Sequence, residues 1–229
     1  MSITPRTILN RVNPLMRIKR GLRAVGRYVR RSPGTYIWLG ILLFTTAAAH
    51  RMSPQFEEEF LRQRSTNLHE LSDNPVRVLL ASAMWLDGGY WLPYAALYSV
   101  IHAPVERWLG TVRWLAVAAG AHVLATLISE GALLVAIEQG IAPRSAMNTL
   151  DVGVSYALAG VAAVLTYRLR APWRYVWAAG LLVFFAAPMT VTPTFTDLGH
   201  FIAVLLGLAA YPMTKGRRDP KGTALARTG

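Results

Sequence analysis

Two side chains in this sequence have the types and setting needed for covalent chemistry. One is the serine of Asp151-Val152-Gly153-Val154-Ser155-Tyr156, the other the histidine of Asp197-Leu198-Gly199-His200. An imidazole can take the proton from a serine hydroxyl as the oxygen attacks a carbonyl carbon, which is the minimal apparatus of nucleophilic serine catalysis. Each residue sits near the start of an apolar stretch. At 1.5 Å per residue, Ser155 falls about 6 Å and His200 about 4.5 Å below its helix start, a matching depth on two parallel helices. The rival reading needs no chemistry. A serine in an apolar helix commonly bonds its own backbone. The small residues Gly199, Ala203 and Gly207, four apart on one segment, and Gly153, Ala157 and Gly160, four and three apart on the other, can serve helix packing alone. The imidazole is harder to dismiss, because an ionisable group at membrane depth is costly and tends to face a cavity or a partner.

Other polar groups are weaker candidates. Glu130 lies seventeen residues beyond Arg113, about 25 Å along a helix, in one layer with Asp87, Tyr90, Ser155 and His200. It could orient a catalytic imidazole as the acid of a triad does, although a buried carboxylate more commonly bonds a neighbouring hydroxyl or is protonated. His122, two turns deeper, reads as a packing histidine. His50, His69 and His102 have no ligand spacing, and there is no cysteine, zinc signature, phosphate loop or dinucleotide fingerprint. The expectation is therefore no metal and no cofactor.

These residues require helices in a membrane to hold them. The chain of 229 residues is 53% hydrophobic and 16% charged, with a net charge of +12. A soluble domain carries nearer about 25% charged residues. Nine of the 24 Lys and Arg precede residue 32 and five follow Met213. Basic ends around apolar spans point to anionic lipid and topology, not to nucleic acid. Within residues 1–33, Leu15, Ile18, Leu22, Val25 and Val29 recur at helical spacing among arginines, as in a basic amphipathic helix lying on a membrane surface. A transit peptide shares that pattern, but here the run leads straight into a span. Apolar segments follow at 36–49, at 90–103 after a break at Asp87-Gly88-Gly89, and at 111–137, 150–167, 174–192 and 198–212, each at or near the length that crosses about 30 Å of hydrocarbon. Residues 50–74 form a polar hairpin or amphipathic element between the first two. Arg107, Arg113, Arg168, Arg170 and Arg174 fall in alternate turns, which puts both termini in the cytoplasm by the positive-inside rule. Trp38, Trp85, Trp108 and Trp173 read as interface anchors. The predicted architecture is an all-α integral membrane protein: a basic segment 1–33, a six-helix domain 34–212 and a basic tail 213–229.

With those spans in place, the chain resembles the rhomboid intramembrane serine proteases over residues 36–212. Gly153-Val154-Ser155-Tyr156 resembles the family's GxSG nucleophile motif, and Gly199-His200 with Ala203 and Gly207 resembles its histidine helix. Val105-Glu106-Arg107-Trp108-Leu109-Gly110 resembles the acidic-basic-x-x-Gly segment between the second and third helices. Arg77 with Leu79, Leu80 and Ser82 resembles the stretch leading into the second helix. Two departures stand out. Tyr90 and Tyr94 occupy the places of the histidine and asparagine that help hold the oxyanion, and Tyr156 replaces a glycine, crowding the backbone beside the nucleophile. The closest likeness is to a divergent bacterial branch.

The resemblance implies cleavage of transmembrane segments of other membrane proteins in a bacterial inner membrane. Ser155 would be the nucleophile and His200 the general base. The Ser155 amide, with Tyr90 or Tyr94, would hold the oxyanion beside Gly153. The altered oxyanion side chains imply an alternative: an inactive rhomboid-like protein that binds transmembrane segments in quality control or trafficking.

Overall fold

The computed structural model describes residues 14–191 and 193–216. The expected basic tail lies outside the described residues beyond Gly216. Two units are distinct, residues up to Arg31 and residues from Ser32 onward. The described part of the first is the helix α1 (Pro14–Arg30), with no acid in its first turn and Arg27 and Arg30 in its last. Leu22 and Val25 on its apolar side are exposed.

The second unit opens with α2 (Pro33–Ala49), which Pro33 starts because proline fits the first helical turn. Its open amides are met from far along the chain. The buried Glu106 carboxylate accepts from Gly34 N and Thr35 N, both at 2.8 Å, and from the hydroxyls of Thr35 (2.7 Å) and Thr111 (2.8 Å). An anion at a helix start is favoured by the dipole and by the unpaired N–H groups. The acidic residue of the Glu-Arg-x-x-Gly segment thus locks the start of α2 to the junction at Gly110 and Thr111. Gly110 makes that junction, with φ of +85°.

The polar segment after α2 forms α3 (Pro54–Arg62) and α4 (Leu68–Asp73), followed by α5 (Pro75–Ser82). Ser53, Asn67 and Asn74 side chains cap the three helices. After the turn at Gly88 and Gly89, α6 (Trp91–Leu97) continues through a π-helical turn at Tyr98–His102 into α7 (Ala103–Leu109). Then come α8 (Thr111–Glu138), α9 (Val154–Val164, running on as a 3-10 turn to Arg168), α10 (Trp173–Ala186), α11 (Pro188–Val191) and α12 (Phe195–Ala209). Among the described residues there is no strand.

Among the described residues two helical stretches have the length and apolar character to cross a membrane, Thr111–Glu138 and Trp173–Val191. Pro33–Ala49, Val154–Arg168 and Phe195–Ala209 are shorter apolar helices, and the second predicted segment falls on the interrupted α6–α7 stretch. α8, α9 and α12 form the central packed trio, with α10 on the outside and none of its residues buried. Exposed Val183, Phe184 and Leu92 give the outer faces an apolar character.

Trp38 and Trp108 are not interface anchors. They are only 9% and 7% exposed and belong to the core. Trp38 donates its indole N–H to Ala83 O (2.8 Å) and meets Tyr98 edge-on at 5.5 Å. A buried indole takes such a partner, and hydropathy does not separate that setting from a headgroup belt. Trp173 is 67% exposed, as expected of an anchor. His102 stacks on Tyr98 at 3.9 Å and accepts from Trp114 at Nδ1 (3.2 Å), which makes it a core group in the Nε2–H tautomer.

Candidate active site

The start of α9 gives Ser155 its setting. Gly153 is the N-cap, and the first α9 amide with a backbone acceptor is that of Ala157, donating to Gly153 O at 3.2 Å. The amides of Val154, Ser155 and Tyr156 therefore carry the unpaired donors of a helix N-terminus, the kind of group that holds an oxyanion. Ser155 itself is half-buried, and its hydroxyl has no hydrogen bond among the described residues. It does not bond back to its own helix.

Gly153 faces α8 rather than α12. A Cβ there would overlap the His122 ring. His122 is buried and places Nε2 2.9 Å from Leu79 O and 3.3 Å from Ser82 Oγ. It is a packing residue that ties α5 to α8 underneath the Gly153 turn.

His200 lies on α12, which starts with a reciprocal Thr194–Asp197 capping box. Its Nδ1 is 2.9 Å from Thr196 O. A carbonyl can only accept, so the neutral ring carries its proton on Nδ1 and leaves a lone pair on Nε2, the tautomer a general base needs. The ring is held between Tyr156, edge-on at 4.8 Å, and Phe185, stacked at 5.5 Å. α9 and α12 are neighbours in the trio, but no hydrogen bond joins Ser155 to His200. Catalytic hydrogen bonds are commonly long without substrate and tighten in the reacting complex.

Tyr90 is exposed, and Tyr94 is half-buried with its ring 6.4 Å from Tyr98. Neither hydroxyl has a hydrogen bond among the described residues, so both are free donors. The tyrosine that touches the Gly-Val-Ser-Tyr segment is Tyr98, one turn beyond Tyr94, donating to Val154 O at 3.2 Å. Glu130 is buried with one carboxyl oxygen unpartnered among the described residues. Asp197, three residues before His200, is engaged in the α12 capping box.

Tyr156 does not crowd the nucleophile. It points toward α12, fully buried, and donates to Asp151 Oδ2 at 2.6 Å. Asp151, in the loop before α9, is held by Ser65 and Thr66. Ser65 Oγ accepts from Asp151 N (2.6 Å), and Thr66 N donates to Asp151 O (2.9 Å). Sequence reasoning missed Asp151, Ser65, Thr66 and Tyr98. The available signal was the polar Ser65-Thr66-Asn67 run beside an acid five residues before Tyr156, and it does not say which groups meet.

The rhomboid-like protein family model matches residues 27–220, most of the chain. No curated protein and no solved structure matches it. The chain belongs to the rhomboid-like family, and it is a helical membrane protein of that class. The family includes proteases and inactive members.

Proposed function

We propose that this protein is an intramembrane serine protease acting on transmembrane segments of other membrane proteins. Ser155 Oγ attacks the peptide carbonyl carbon while His200 Nε2 takes its proton. The proton then passes to the departing amine, and water repeats the sequence on the acyl-enzyme. The Ser155 amide and the hydroxyl of Tyr90 or Tyr94 stabilise the oxyanion. The observation that carries this reading is the His200 Nδ1 contact with Thr196 O, which leaves Nε2 basic beside a helix whose Ser155 hydroxyl is uncommitted. The test is covalent labelling of the purified protein by a fluorophosphonate probe, with the label mapped to Ser155. Wild type that stays unlabelled under conditions that label other serine hydrolases would sink the mechanism. The alternative, a binder of transmembrane segments without hydrolysis, draws on the missing Ser155–His200 hydrogen bond. It predicts partner capture with no product.

In this reading the domain crosses a bacterial inner membrane six times with both termini in the cytoplasm, as the arginine-bearing turns favour. The chain has no cysteine of its own, so single cysteines report cleanly. Cysteine at Ser145 should react with an impermeant thiol reagent in intact cells, and cysteine at Arg170 should not. The reverse pattern would invert the topology.

α1 supplies a second partner surface, for anionic lipid headgroups. Arg20, Arg23 and Arg27 lie away from the Leu22 and Val25 side, and each apolar group that enters the interface adds to the charge attraction. A polarity-sensitive dye on Val25→Cys should shift to the blue in vesicles containing phosphatidylglycerol and less in pure phosphatidylcholine, with the difference shrinking in high salt. Equal emission in both vesicles would remove the lipid role.

A further inference from the structure

The departure from the family pattern at Tyr156 forms a continuous line of contacts that ends on His200. It begins in the link between α3 and α4, where Ser65 and Thr66 are both fully buried. Ser65 Oγ accepts from Asp151 N at 2.6 Å and donates to Asp151 O at 3.0 Å, while Thr66 N and Oγ1 donate to the same carbonyl at 2.9 and 3.1 Å. The Asp151 backbone therefore has little freedom. Its carboxylate accepts from the Tyr156 hydroxyl at 2.6 Å, the short distance of a charge-assisted bond. The Tyr156 ring then lies against His200 at 4.8 Å and over Gly199, where a Cβ would come 2.5 Å from the Tyr156 ring and hydroxyl. Gly199 has no side chain because Tyr156 fills that space. Phe185 closes the other side of the imidazole.

We propose that Tyr156 is a positioning residue for His200, and that the Ser65-Thr66 link sets the imidazole through Asp151 and Tyr156. The tyrosine is a strut with both ends fixed, one on the Asp151 carboxylate and one on the ring it supports. This rests on the reading of His200 as general base, but its physical content is the placement of the ring, which can be measured with no substrate present. Placement matters to rate because a displacement of about 1 Å can cost about 100-fold.

The test uses the full-length protein in detergent micelles, labelled with carbon-13 and nitrogen-15 at histidine. The His200 signals are assigned by their loss in His200→Gln. Tyr156→Phe keeps the ring but frees it from Asp151, and it should move the His200 ring signals while those of His50, His69 and His102 stay in place. Ser65→Ala should move the same signals less. Its effect should vanish in a Tyr156→Leu background, because the line is already cut and coupling is what such a cycle isolates. If wild type labels with fluorophosphonate, the rate should fall about 10-fold in Tyr156→Phe and about 100-fold in Tyr156→Leu. His200 signals that coincide in wild type and Tyr156→Phe would overturn the strut, even with an active protease. So would a Ser65→Ala shift that persists without Tyr156. Signals that move as stated in a protein that never labels would support the strut and remove the protease reading alone.

Discussion

Ser155→Ala is expected to abolish release of cleavage products from a panel of helix-destabilised transmembrane substrates in detergent, read by mass spectrometry of the fragments. His200→Ala is expected to do the same. The double variant should be no worse than either single, because a nucleophile and its base act as one unit and their losses are not additive. Loss of the base leaves a hydroxyl that cannot shed its proton. Loss of the nucleophile leaves a base with nothing to activate. The oxyanion side chains should count for less. Tyr90→Phe and Tyr94→Phe each remove a single free donor, and the one that reaches the substrate should cost about 10–1,000-fold. The Ser155 amide remains in both variants, so neither should be silent. Product that persists in Ser155→Ala would rule out the serine mechanism. Capture of substrates by all four variants, with no product from wild type, would support the binding role instead.

The order of helices, the polar elements after α2 and the two helices bearing Ser155 and His200 were legible in the sequence. Hydropathy runs, prolines at helix starts and the spacing of arginines are local signals, and they carry that information directly. Contacts between groups far apart along the chain carry none. Glu106 was recognisable as part of a motif, but nothing near it shows that its carboxylate meets the amides of Gly34 and Thr35 at the start of α2. Gly153 belongs by spacing to a small-residue face, and nothing in that spacing says that His122 of α8 lies against it. Four-residue spacing names a face and not the neighbour it meets. Tyr156 is the sharpest case. Judged against the motif it was an intrusion beside the nucleophile, yet one residue along an α-helix turns the side chain by about 100°. That turn carries it away from Ser155 and onto Gly199 and His200.

The small residues between α9 and α12 lead to the largest expected change in stability. A Cβ placed on Gly207 would run into the backbone carbonyl of Gly160 and would come 2.7 Å from the Ala163 methyl. A Cβ on Gly160 would in turn overlap the Ala121 methyl of α8 and come 3.3 Å from the Ala203 carbonyl, so the three central helices meet at one point. In a membrane such close approach is a main source of helix association, since lipid tails offer no hydrophobic drive between apolar helices. A flexible side chain could move aside for a methyl group, but a helix carbonyl moves only with its helix. Gly207→Ala should therefore already be destabilising, and Gly207→Leu should reach the upper end of overpacking costs, about 3 kcal/mol. At about 2–4 °C per kcal/mol for a chain of this size, Gly207→Leu should lower the melting temperature in detergent by about 10 °C. Ala163→Gly should rescue it only in part, because the Gly160 carbonyl is the nearer obstacle. Gly131→Leu is the control, since a Cβ at Gly131 meets nothing within 4 Å, and it should melt near wild type. Equal melting of the Gly207 and Gly131 variants would mean that α9 and α12 do not meet through Gly160. The shared depth of Ser155 and His200 would then lose its structural basis.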